Sequence, residues 1–193
     1  MIKVQSYADV LEETLASIPY GCLDRAVELL QGIRGSQTTV YCAGNGGSAA
    51  TASHFATDLA KYCSSDPAQA IRAESLVDNP SLVTALTNDV GWQNIYSFQL
   101  QRKLRRDDVL VLFSVHGGSG AQEAGPWSQN LLGAAEIARK IGATVISFTG
   151  FDGGELSALA DISILVRSWS TPLVEGWHSL AAHLIVEGLV SND

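Results

Sequence analysis

Positive charge is scarce in this 193-residue chain: 12 Lys and Arg stand against 20 Asp and Glu, a formal net charge of −8. That balance argues against a dedicated nucleic-acid surface, which needs a basic face to offset phosphates. Cysteine is scarce too. Cys22, Cys42 and Cys63 are odd in number, far apart and without zinc-knuckle spacing. They read as reduced cytosolic thiols, with Cys42 buried in a strand. No apolar run approaches the length of a membrane span, and residues 1–10 are polar, without a secretory hydrophobic core. The expected setting is therefore the cytoplasm, with neither a membrane nor a nucleic acid as partner. No linker, repeat or low-complexity stretch interrupts the chain, which predicts one domain over residues 1–193. What the chain does have is apolar content: 46% hydrophobic with 17% charged residues suits a full core.

Residues 4–34 show helical periodicity in two pieces, broken near Pro19 and Gly21. Val10, Leu11 and Leu15 make one apolar stripe; Leu23, Val27 and Leu30 make the other. Val40 to Cys42 read as the end of a buried strand, and a breaker-free run over 48–62 reads as a helix. A short second strand is expected over 70–77. A helix then opens at Pro80 and carries on to Asn88-Asp89, and another covers 91–102. Residues 109–113 form the plainest buried parallel strand. Helix over 126–141, strands over 143–149 and 161–166, and a long helix over 173–190 complete the chain. This alternation predicts an α/β fold, a three-layer, doubly wound parallel sheet behind an N-terminal helical hairpin. Ligands in such folds lie at the carboxyl ends of the strands.

Two glycine-serine loops fall at such ends: 44–48 and 114–120. A strand, a glycine-rich turn and a helix together aim free backbone N–H groups and a positive helix end at one place, which suits a phosphate. Ser48 stands where an N-cap belongs, so its hydroxyl caps the helix or donates to an anion. His54 and Asp58 follow on one helix face, four apart. They either converge on a metal or reacting group or form a plain surface ion pair.

Gly44-Asn45-Gly46-Gly47-Ser48, followed by His54-Phe55-Ala56 and an acid at 58, resembles the sugar isomerase (SIS) domain. Within it the chain is similar to the bacterial phosphoheptose isomerases, over nearly its whole length and in four motifs in order. The resemblance implies that Asn45, Gly46 and Gly47 contact the sugar or its phosphate. Ser114-Val115-His116-Gly117-Gly118-Ser119 aligns with the family pattern Ser-Thr-Ser-Gly-Asn-Ser. Ser114 and Ser119 are retained as phosphate ligands, whereas Val115, His116 and Gly118 depart from it. His116 either donates to the phosphate or is a loop histidine satisfied by backbone. Extra residues around 122–127 are expected to form a rim or lid. Asn88-Asp89 matches a pair that borders the substrate in the family, or simply marks a helix end. In the last helix, Glu175 falls on the family's glutamine and His183 on its final histidine; His178 reads as packing or support.

Carried over, the family's zinc set becomes His54, Asp58, Glu175 and His183, a donor set for Zn²⁺ or a related divalent ion. Asp58 is one methylene shorter than the family's glutamate, and Glu175 adds a charge. The implied activity is aldose–ketose isomerisation of sedoheptulose 7-phosphate through an ene-diol, with Asp58 and His183 as base and acid. A homo-oligomer, a tetramer by resemblance, is the implied assembly. The rival readings are the same chemistry on another ketose phosphate and a non-catalytic SIS protein that binds a replication initiator or senses phosphosugars.

Overall fold

The computed structural model describes residues 4–15, 18–118 and 127–191. Two consecutive helices come first, α1 (Val4–Leu15) and α2 (Tyr20–Gly32). Strand β1 (Thr39–Gly44) leads into α3 (Gly47–Lys61), and β2 (Arg72–Ser75) into α4 (Pro80–Val90) and α5 (Ile95–Lys103). Then follow β3 (Val109–Ser114), α6 (Gln129–Ile141), β4 (Thr144–Gly150), α7 (Gly154–Leu159), β5 (Ile162–Val166) and α8 (Thr171–Val190).

All four strand pairings are parallel, and the strand order is β2-β1-β3-β4-β5. The pleat sends alternate side chains to opposite faces. In β3, Val109, Val111 and Phe113 enter the core shared with α2, α3 and α8. Leu110 and Leu112 enter the other core, under α4, α5 and α6. Every residue of β3 is buried, which explains its unbroken apolar run. Burying each such side chain contributes roughly 2 kcal/mol. The result is the expected three-layer architecture.

The strand order reverses between β1 and β3. The chain leaves β1 through α3 on one face and β3 towards α6 on the other. Their exit loops part and leave a crevice at the carboxyl ends, as doubly wound sheets do at a switch point. Gly44 ends β1 directly beneath the first turn of α3; a Cβ there would overlap the Ser48 carbonyl. Gly117 has φ +67°, and a Cβ on it would overlap the Gly153 carbonyl.

The chain departs from its sequence pattern at several places. The second strand covers only 72–75, and a 3₁₀ turn at Trp92–Asn94 precedes α5. Helix α4 runs through Asn88 and Asp89 to Val90, where Gly91 at φ +84° stops it. Asn88 is therefore not the stop. Helix α7, with Gly153 as its N-cap and Gly154 as its first residue, was not among the expected elements. The stripe of α2 is buried at Leu23 and Leu30, but Val10, Leu11 and Leu15 of α1 stay exposed, because α1 makes only marginal contact with the other described elements.

Candidate active site

The crevice between the β1 and β3 loops encloses about 170 Å³ and is lined by Asn45, Ser48, Ser114, Val115, His116 and Glu175, among others. The N-cap of α3 is Gly46, at φ 57°, so Ser48 is not the cap; it lies in the first turn, buried and facing the crevice. Among the described residues no side chain caps α3. Its first N–H groups remain available to an anion. Ser114 accepts a hydrogen bond from the Gly117 N–H at 3.1 Å, which leaves its own proton to donate.

Asn45 is fixed by a reciprocal amide pair. Its Nδ2 donates to Asn130 Oδ1, and Asn130 Nδ2 donates back to Asn45 Oδ1, both at 2.9 Å. Asn130 is fully buried, and its Oδ1 also accepts from the Leu131 N–H at 3.0 Å. Tyr96 donates to the Gly44 carbonyl at 2.5 Å and reaches Asn45 Oδ1 at 3.3 Å. Burial pushes the Tyr96 pKa up, which keeps the hydroxyl a donor. Neither Asn130 nor Tyr96 stood out in the sequence.

His116 packs its ring 4.3 Å from Phe151 and 5.5 Å from Trp127, centroid to centroid. Its Nδ1 is buried and finds no hydrogen-bond partner among the described residues, so backbone does not satisfy that nitrogen. Ser119 and the rim residues 122–126 lie outside the described residues.

Further along, α3 and α8 bring three donors together. His54 Nε2 lies 3.5 Å from Asp58 Oδ2, and His183 Nε2 lies 3.7 Å from the same oxygen. The imidazole rings meet edge to face at 4.9 Å. One ligand atom from each of His54, Asp58 and His183 lies within 4.8 Å of the other two, a group able to hold a metal ion. The pair at 54 and 58 is thus more than a local ion pair, since a second helix closes on it. Both Asp58 and His183 belong to the same chain.

Glu175 is the member of the four-residue set that stands apart. Eight residues at 1.5 Å each put it about 12 Å from His183 along α8. Its carboxylate lies instead against Gly47, where an added Cβ would overlap it, beside the positive end of α3.

The comparisons with known proteins match this fold. The SIS domain model matches residues 4–150. The chain belongs to the SIS domain family. This SIS chain is 36% identical over 155 residues to a phosphoheptose isomerase of Sulfurimonas denitrificans, covering 80% of the chain and 73% of that protein. It is 45% identical over 152 residues to the lincomycin biosynthesis protein LmbN of Streptomyces lincolnensis, over 77% of the chain. That match spans only about half of the Streptomyces protein, 54% of its length. The phosphoheptose isomerase GmhA of Neisseria gonorrhoeae superposes with a TM-score of 0.81 at 28% identity, covering 97% of each chain.

Three residues singled out in the sequence of this SIS chain, Asn88, Asp89 and His178, do not line the crevice. Asn88 and Asp89 are exposed on α4, paired with each other at 3.1 Å, and neither lines the crevice of their own chain. His178 is buried between α8 and the sheet, near Phe113 and Phe148. It packs behind the crevice, and burial lowers its pKa to about 4 against a weak opposing pull from the Thr149 backbone.

Proposed function

We propose that this chain is an aldose–ketose isomerase that converts D-sedoheptulose 7-phosphate to D-glycero-D-manno-heptose 7-phosphate. The observation that carries the reading is the convergence of His54, Asp58 and His183 along α3 from the anion-suited crevice. Gly47 and His54 are seven residues apart, about 10 Å along the helix axis. That span is of the order of an extended seven-carbon phosphosugar. The phosphate is assigned to the crevice, where the α3 N–H groups, Ser48, Ser114 and His116 meet it, with Ser119 as the remaining assigned ligand. Asn45, held by Asn130, orients the sugar hydroxyls, and Glu175 with the Gly46–Gly47 backbone faces the carbon chain.

The reacting carbons then lie at Asp58 and His183. One of the pair takes a proton from C1 while the C2 carbonyl oxygen gains one, giving the ene-diol. The reverse transfer, off the C1 hydroxyl and onto C2, completes the aldose. Two imidazoles and a carboxylate suit Zn²⁺, and three protein donors leave a position open, as catalytic sites do. A bound ion would supply electrophilic polarisation of the carbonyl. The second carboxylate oxygen of Asp58 stays free for proton transfer.

The assembly assigned here is a homotetramer in the cytoplasm. The exposed stripe Val10, Leu11 and Leu15, and Leu180 and Leu184 beside His183, offer apolar surface for other copies. No described helix is long and apolar enough to cross a membrane. A second reading, the same chemistry on another ketose phosphate, is favoured by His116 where the family pattern has serine.

Elemental analysis of protein never exposed to a nickel resin should find about one divalent ion per chain, removed by chelation. Turnover of sedoheptulose 7-phosphate should then fall roughly a hundredfold and return when zinc is restored. Full turnover by metal-free protein would remove the ion from the reaction.

A further inference from the structure

Four rings stand together at the carboxyl end of the sheet, and the isomerase reading uses only one of them. His116 follows β3, Phe151 follows β4, Trp169 follows β5, and Trp127 precedes α6. Beyond the two contacts of His116, Phe151 meets Trp169 edge to face at 5.0 Å. The four rings thus form one continuous wall from four separate loops. None of them belongs to either core cluster, so the fold does not need them for its interior.

The backbone beneath the wall is held firmly. The Gly150 N–H donates to the Val115 carbonyl at 3.0 Å, and the Phe151 N–H to the Ser168 carbonyl at 3.1 Å. Phe151 and Ser128, next to Trp127, take φ values of 54° and 59°. Non-glycine residues persist in that left-handed region only where the surroundings over-determine them, and such positions cluster at ligand sites. Yet Trp127 is 60% exposed while also lining the crevice. A wide apolar ring at the mouth of a polar crevice has a face that none of the described residues covers.

The crevice is two-sided. Asn45, Ser48 and Ser114 present hydrogen-bonding groups; Val115, Trp127 and Leu131 present apolar surface. None of the described residues lining it is a lysine or arginine. Inorganic phosphate can use only the polar side. A polyol phosphate uses both, with hydroxyls on the amide and serine side and its C–H face on a ring.

We propose that Trp127 stacks on the C–H face of the sugar carbons next to the phosphate, and so determines which phosphosugars the crevice accepts. Phe151 and Trp169 are positioning residues that hold His116, and through it Trp127, in place. The proposal rests on the phosphosugar reading of the crevice.

Calorimetric titration with heptitol 7-phosphate, a polyol that cannot isomerise, and with inorganic phosphate separates the two ideas. Trp127→Ala should weaken heptitol 7-phosphate roughly fivefold to tenfold, while inorganic phosphate stays within about twofold. Trp127→Phe, which keeps a ring, should recover most of the loss. Unchanged heptitol 7-phosphate binding by Trp127→Ala, or equal weakening of both ligands, overturns the wall. Wild-type protein that binds neither ligand overturns the phosphosugar reading itself, and the wall with it.

Discussion

Replacing Asp58 by asparagine, or His183 by alanine, is expected to lower kcat by roughly a thousandfold and leave the fold intact. Both side chains sit at the protein surface, Asp58 20% and His183 46% exposed, so neither change opens a cavity in the core. The amide in Asp58→Asn keeps the shape of the side chain but loses the charge that an imidazolium or a metal ion needs opposite it. The double variant should be little worse than either single one, because two groups that pass one proton between them act as a unit. The two residues lie 3.7 Å apart within one chain. Mixing the inactive Asp58→Asn and His183→Ala proteins should therefore restore no activity, even in a tetramer. Recovered activity on mixing would place the partners in different chains.

The second large effect concerns acid stability. His178 is fully buried with its pKa lowered from 6.5 to about 4. Neither ring nitrogen finds a hydrogen bond of ordinary geometry among the described residues. Above pH 6.5 the group is neutral folded or unfolded and adds no pH dependence. As the pH falls below 6.5 the unfolded chain binds the proton first, so stability is lost progressively down to about pH 4. The shift corresponds to about 3 kcal/mol once the pH is below both values. Urea melts at about pH 7.5 and about pH 4.5 should show that His178→Leu removes about 2–3 kcal/mol of the acid sensitivity. If wild type and variant lose stability equally over that range, His178 is not the buried neutral group described here.

Much of the fold could be read from the residues because its signals are local. The continuous apolar run at Val109–Phe113 and the two glycine-serine loops at strand ends carry the sheet and the crevice between them. Helix α7 escaped because its glycines mask a single short amphipathic turn. The short reach of β2 escaped because only its pairing with β1 defines where it stops. Within the site, His54 and Asp58 share a face by spacing alone, but the arrival of His183 depends on how α8 packs on α3. That the glutamate at 175 lies at Gly47, not with the trio, follows from the same packing. Asn130, Tyr96 and the ring wall were illegible, because each gains its meaning only from residues distant in the chain, as in the 2.9 Å pair of Asn45 with Asn130. The apolar face of α1 was legible as a stripe; that nothing described in its own chain covers Leu11 or Leu15 was not.

The central claim is that this chain moves a proton between C1 and C2 of a phosphosugar. Purified protein incubated with sedoheptulose 7-phosphate in deuterated water, followed by NMR, tests it most directly. The heptose 7-phosphate aldose should accumulate with deuterium at C2, and Asp58→Asn should give neither product nor exchange. A wild-type protein that leaves sedoheptulose 7-phosphate unchanged, with no deuterium at C1 or C2, would contradict it.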